Sequence, residues 1–455
     1  MKPNSSRWLR GAALLGAVTL LSGAFAQSAA QPSPTAPVRV TVTPGRVEGK
    51  SALTLGVTHT QYAPLDGHGD AEAIARARTL LRAAGPLQNQ HIMGWGALNP
   101  QPEPGRFDWA SLDARLKLIR DTGGTPVLTL CCAPDWMKGG GSGQTEWENL
   151  EVAPRPEHFD DFARMAGDIA RRYPDVLHYQ VWNELKGFWN RAENRWDYEG
   201  YTNLYNKVYT ALKAVNPKIQ VGGPYIPFRP DAVNPGTLPA RDARLRDQPY
   251  GSVDQRTLDA FEYWNAHKVG ADFVTNDLGS YNRGRPPADP FAATQLYTDM
   301  TAWLSARTKL PIWWAEWYAT SYSVPTFSPE QQNALMAVTL ARLVRAGVSV
   351  ALRWAPQGDA GRCCEGSQES LWSDVRQAGG GKPFPAATTT AAFVAHFAPG
   401  TPLVNVQTSS ASVFALASDK RVLLVNTTGA PLRVTLNQRA PITLSPYEVK
   451  FQPLS

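Results

Sequence analysis

Glu184 ends the run Val181-Trp182-Asn183-Glu184, and Glu316 stands in Trp313-Trp314-Ala315-Glu316-Trp317. Each closes a short apolar segment of the kind that forms a buried strand. A carboxyl there is costly unless it is paired or working. Two such carboxyls, remote in the chain and each wrapped in tryptophan, suit the cleavage of bonds between sugars. That chemistry needs two carboxyl groups facing each other across the scissile bond, and the apolar C–H faces of sugar rings lie well on aromatic rings.

Those side chains need a scaffold that brings distant strand ends together. From about Ala52 the chain repeats an apolar run followed by a helical stretch about eight times. The runs are Leu53 to Thr58, Gln90 to Trp95, Pro126 to Leu130, Leu177 to Trp182, Ile219 to Gly222, Phe273 to Asn276, Pro311 to Ala315 and Val348 to Arg353. Between them Trp109, Leu112, Leu116 and Ile119 recur at helical spacing, as do Phe159, Phe162, Ala166, Ile169 and Tyr173. Ser328-Pro329-Glu330-Gln331 is a capping box with proline at the first helical position, and Gly347 ends that helix. Strands alternating with helices imply a parallel sheet, and eight of them predict a (β/α)8 barrel, a TIM barrel of α/β class. An open doubly wound sheet is the alternative, but no glycine-rich phosphate fingerprint follows the first strand. In a closed barrel the chemistry gathers at the C-terminal strand ends, where Glu184 falls on strand four and Glu316 on strand seven.

The remaining segments frame this barrel. Residues 1–26 read as a cleavable signal peptide, with Lys2, Arg7 and Arg10 before an apolar stretch and Ala24-Phe25-Ala26 at the cut. Export to the periplasm or the exterior follows. Removal of that segment lowers the formal charge from +6 to +3, and the basic residues are scattered, so nucleic-acid binding is not expected. No later segment is long and apolar enough to span a bilayer. Residues 27–37 form a linker and 38–50 an N-terminal strand. The catalytic barrel occupies 51–380 and a C-terminal β-sandwich 381–455, which the N-terminal strand could join. Oligomeric state is not legible.

The four cysteines form two adjacent pairs, Cys131-Cys132 and Cys363-Cys364. Export permits disulfides, and the spacing does not suit zinc, so one or two structural disulfides of open connectivity are expected. No His/Asp cluster suggests a metal, and no cofactor is expected. No G-x-S-x-G directs the reading toward serine hydrolases.

The run Tyr179-Gln180-Val181-Trp182-Asn183-Glu184, followed by Gly187-Phe188-Trp189, resembles the acid/base strand of clan A glycoside hydrolases. Tyr201, Leu204-Tyr205, Asn216-Pro217 and Val221-Gly222-Gly223-Pro224 are similar to glycoside hydrolase family 39, the β-xylosidases and α-L-iduronidases. Phe107, Leu112-Asp113, Gly123, Pro126 and Ala315-Glu316-Trp317 fit the same family, so the likeness spans residues 52–360.

The resemblance implies a retaining hydrolase acting by double displacement on an oligo- or polysaccharide. Glu184 would be the general acid and then the base, its pKa raised by burial and by the charge of Glu316. Glu316 would be the nucleophile. Asn183 would bind the sugar 2-hydroxyl, and Tyr281 would donate to Glu316 and hold it ionised. Trp354 is a candidate floor for the sugar. Trp182 and Trp317, with Trp136 and Trp189, are further candidates for sugar contact, and His59 could touch hydroxyls or be structural. Leu185-Lys186, Cys131-Cys132-Ala133-Pro134 and Gly279 depart from the family pattern in loops that shape the pocket. Endo-action on a β-linked polysaccharide or exopolysaccharide, or sugar binding without catalysis on the same fold, are the rival expectations.

Overall fold

The computed structural model describes residues 36–230, 236–280, 287–319, 327–358 and 370–454. Residues 1–26, read above as a signal peptide, Tyr281 and Cys363-Cys364 lie outside them. Among the described residues no helix is long and apolar enough to cross a membrane.

Eight parallel strands close into a barrel: Thr54–Thr58, Leu87–His91, Thr125–Leu130, His178–Val181, Gln220–Phe228, Phe273–Gly279, Ile312–Tyr318 and Val350–Trp354. The second strand lies three residues earlier than its apolar pattern predicts. It is polar on both faces, and every polar side chain but His91 has a partner. Gln88 bonds Thr122, Asn89 bonds Thr58 and Thr129, and Gln90 accepts from Arg115. Satisfied polar groups can be buried at little cost, so hydrophobicity alone does not reveal this strand.

The barrel interior is layered, because alternate residues of each strand point inward. Leu87, Val127, Phe273, Trp313, Val350 and Leu352 fill the lower layer. Above them Thr58, Asn89, Thr129, Gln180 and Thr275 form a hydrogen-bonded belt. Residues of the next layer reach the mouth. Outward-facing residues pack against the helices; in Ala334 to Val344 of the helix Pro329–Ala346 nearly every side chain is buried. That helix begins at Ser328, whose hydroxyl accepts from Gln331, and ends at Gly347 with φ 75°, the left-handed cap that glycine takes without strain.

Two irregularities in strand pairing shape the barrel mouth. The pairing of strands six and seven slips between Trp314 and Glu316, and that of strands five and six slips between Pro224 and Ile226. Strict alternation would turn Glu316 outward with Trp314. The bulge at Ala315 turns it inward instead, and the carbonyl that the bulge frees accepts from Thr58 Oγ1 at 2.9 Å.

The helix Pro385–His396 packs on barrel helices Ala71–Ala83 and Pro329–Ala346. The C-terminal sheet therefore begins at Pro402, not at 381. Among the described residues it contains seven strands, with Val38–Lys50 between Leu432–Leu436 and Pro402–Thr408. One face of its strand Arg421–Asn426 buries Val422 and Leu424 in the sheet's own core, while Leu423 and Val425 join the barrel core.

Candidate active site

Strand four ends at Val181, and the chain then turns sharply. Trp182, Glu184 and Leu185 have φ of 68°, 49° and 51°, left-handed conformations that cost a non-glycine residue about 1–3 kcal/mol each and collect at functional sites. The turn swings Trp182 away from the barrel axis. Its ring is fully buried against Phe162 and Phe188, and its Nε1 donates to the Lys186 carbonyl at 2.8 Å. Trp182 is thus a core residue that braces the turn, and is no sugar-contact residue. Trp182→Ala should cost about 3–5 kcal/mol of stability, read as a lowered midpoint in denaturant; a change below about 1 kcal/mol would contradict the bracing role.

The turn leaves Glu184 at the mouth with Glu316 opposite. One carboxylate oxygen from each, with one from Asp277 of strand six, all lie within 4.8 Å of one another. Two cations stand among them. Arg229 donates through Nη2 to Glu184 Oε1 and to Asp277 Oδ2, the latter at 2.6 Å. Lys186 Nζ lies 3.1 Å from Glu184 Oε2, pairs also with Glu151, and sits 4.9 Å from the Trp95 ring centre.

Glu316 is gripped from both sides. Tyr225 donates to Oε1 at 2.6 Å and Tyr318 donates to Oε2. Tyr225 reaches it because the strand-five bulge turns it inward. Burial, and then the charge of Glu184, push the Glu316 carboxyl up to about 7, against the pull of the two tyrosines and Lys186. For Glu184 burial acts upward too, but the charge of Arg229, a hydrogen bond with Asp277 and Lys186 outweigh it and hold the carboxyl well below its usual range. This corrects the expected raised pKa of Glu184: Lys186, two residues on, turns back onto it, and Arg229, 45 residues away, joins it only in the folded chain. Hydrogen bonds to the ionised form lower a carboxyl's pKa. Tyr225→Phe should therefore move the ionisation of Glu316 to higher pH, seen as an upward shift of the acid limb of a pH–activity profile. A limb that stays or falls would contradict this.

The other candidates divide. Trp354, half-buried, forms edge contacts with His91 and Trp95, at 5.9 and 6.1 Å between ring centres. These three rings wall one side of the mouth. His91 is buried, and burial pulls its pKa down to about 3, so its ring is neutral. Asn183 lies beside it, with Oδ1 lacking a hydrogen-bond partner among the described residues. Trp317 is buried, turned outward by the same bulge, and lies 4.7 Å under the Arg353 guanidinium; it packs in the core instead of facing a sugar. His59 points outward to Gln88 at 2.9 Å and is structural. Cys131 and Cys132 are bonded to each other at the end of strand three and fully buried.

Asp277, Arg229, Tyr225, Tyr318, His91 and Trp95 were not picked out by sequence. Alternation from Thr275 would have found Asp277. The two tyrosines depend on bulges, which have no local signature here.

A family model of the C-terminal immunoglobulin-like domain of D-apionate lactonase matches residues 410–451. No curated protein matches the chain. Among the many solved structures that resemble it, three illustrate the likeness. A β-xylosidase from Caulobacter crescentus CB15 is 16% identical over 89% of this chain and 84% of its own, with a TM-score of 0.57. A family 39 glycoside hydrolase from Xanthomonas axonopodis pv. citri is 17% identical over 89% and 82%, TM-score 0.59. A conserved exported protein from Bacteroides fragilis is 13% identical over 90% and 99%, TM-score 0.62. The closed eight-stranded barrel and its C-terminal immunoglobulin-like domain are thus a fold this chain shares with solved glycoside hydrolases of the family 39 type.

Proposed function

We propose that this chain is an exported retaining glycoside hydrolase. The observation that carries the reading is the meeting of Glu184 and Glu316 at one barrel mouth, an oxygen of each within 4.8 Å of the other. Retaining enzymes hold their carboxyls roughly 5–5.5 Å apart and inverting ones about 6.5–9.5 Å, so the short gap favours retention. Glu316 is the nucleophile: both of its oxygens accept from tyrosines, which aims the carboxylate and favours its charged form. Glu184 is the general acid and then the base. Asn183, next to it, binds the sugar beside Glu316, and Trp354, Trp95 and His91 form the wall against which the ring lies.

The first half-reaction forms the bond from Glu316 to the anomeric carbon as Glu184 protonates the departing oxygen. The second returns that proton to Glu184 from the water that releases the sugar. Because Glu316 must be ionised to attack, activity should fall as pH drops through about 7.

The solved β-xylosidases of the same fold make β-xylosides the first substrates to try. A panel of aryl glycosides and polysaccharides, with proton NMR of the first-formed sugar, tests the reading. Hydrolysis with retained anomeric configuration is expected. Inversion would refute the mechanism, and no hydrolysis across the panel would refute the activity.

A further inference from the structure

The double displacement uses two carboxyls, yet three share the mouth. Asp277 is fully buried on the inner face of strand six, two residues beyond Thr275 of the polar belt. Its Oδ2 accepts from Arg229, while Oδ1 is buried without a hydrogen-bond partner among the described residues. Among the described residues, the charged and titratable groups that act on it come from strands four, five and seven. Glu184 comes from the turn after strand four, with Lys186 on the far carboxylate oxygen of Glu184 and Glu151 on Lys186. Tyr225 and Arg229 come from strand five and its end, and Glu316 and Tyr318 from strand seven.

Charge balance then decides what Asp277 does. Among the described residues, three carboxyls at the mouth, Glu184, Asp277 and Glu316, share two cations, and Glu151 on Lys186 is solvent-exposed, so this inner cluster is neutral when it carries one proton. Without Asp277 it would be neutral with none, and the acid step would have nothing to deliver. We infer that Asp277 is a positioning residue that keeps one proton in the cluster and passes it to Glu184, an inference that rests on the proposed glycosidase reading. Burial and the charges of Glu184 and Glu316, each with an oxygen within 4.8 Å, push the Asp277 carboxyl well above its ordinary range against the opposing pull of Arg229. The proton on Asp277 therefore lies beside the group that must spend it.

The transfer balances. Asp277 gives its proton to the Glu184 carboxylate and becomes a carboxylate held by Arg229. Glu184 then gives the proton to the glycosidic oxygen as that bond breaks and Glu316 bonds the anomeric carbon. The alcohol leaves with the proton, and the attacking water restores it to Glu184. This also reconciles the low affinity of Glu184 for protons in the open cleft with its role as acid.

Asp277→Asn keeps the shape and removes the proton and charge. On a glycoside that the wild type hydrolyses, the alkaline limb of kcat/KM should move down by about one pH unit. Turnover of a substrate with a poor leaving group should fall about 100-fold, and that of a dinitrophenyl glycoside less than about fivefold. A uniform fall in kcat with an unmoved limb marks a purely structural role and overturns the inference. Arg229→Gln provides a second reading should the first variant not fold. With one cation fewer the limb should move up; an unmoved or lowered limb overturns the inference. A wild type that hydrolyses no glycoside instead removes the glycosidase reading itself, and this inference with it.

Discussion

Glu316→Ala is expected to reduce turnover by roughly 10⁴-fold or more, because the covalent route loses its nucleophile. The nearby groups cannot replace it. Tyr225 and Tyr318 are aimed at Glu316 as donors, and burial keeps both phenols protonated. The space left by the side chain should admit a small anion, so azide is expected to restore part of the activity and to yield a glycosyl azide of inverted configuration. Glu316→Gln preserves the volume and separates lost nucleophilicity from lost packing. Wild-type turnover by either variant would end the assignment.

Glu184→Ala should divide substrates by leaving group. General acid catalysis is worth about 10²–10⁴-fold, and it is needed only where the departing oxygen is basic. Alkyl glycosides and oligosaccharides should lose that whole factor. A dinitrophenyl glycoside should form its glycosyl-enzyme at nearly the normal rate and then accumulate it, because the second step also lacks its base. A burst of phenol followed by a slow phase is the expected signature. Equal losses on both substrate types would assign the proton to another group. The variant also frees Arg229 and Lys186 from the partner they share, so its stability should be measured alongside.

Much of the scaffold is legible in the chain. Seven of the eight barrel strands follow from apolar runs, because a parallel strand covered on both faces must be apolar on both. The capped helix Pro329–Ala346 follows from Ser328, Pro329 and Gly347, where the structure has it. The two glutamates stand out because carboxyls are rare beside so much tryptophan. The second barrel strand is read three residues late, since its glutamines and asparagine are buried by partners from other strands and helices. The tryptophans are also misleading. Trp182 and Trp317 flank the glutamates in sequence but pack outward, one through a left-handed turn and the other through a bulge.

Local pattern is enough to put two acidic side chains at strand ends of a repeating strand-and-helix chain, for that depends only on nearby residues and on the period of the side chains. Which way each one faces, and what charge it carries, are set by the packed molecule. Facing depends, for Glu316, on the bulge at Ala315, where register against a neighbouring strand overrides alternation, and, for Glu184, on the left-handed turn after strand four. Charge depends on partners brought in by folding: Glu184 and Lys186 act on Glu316, and Arg229 and Asp277 on Glu184, only because these remote groups meet where water is excluded.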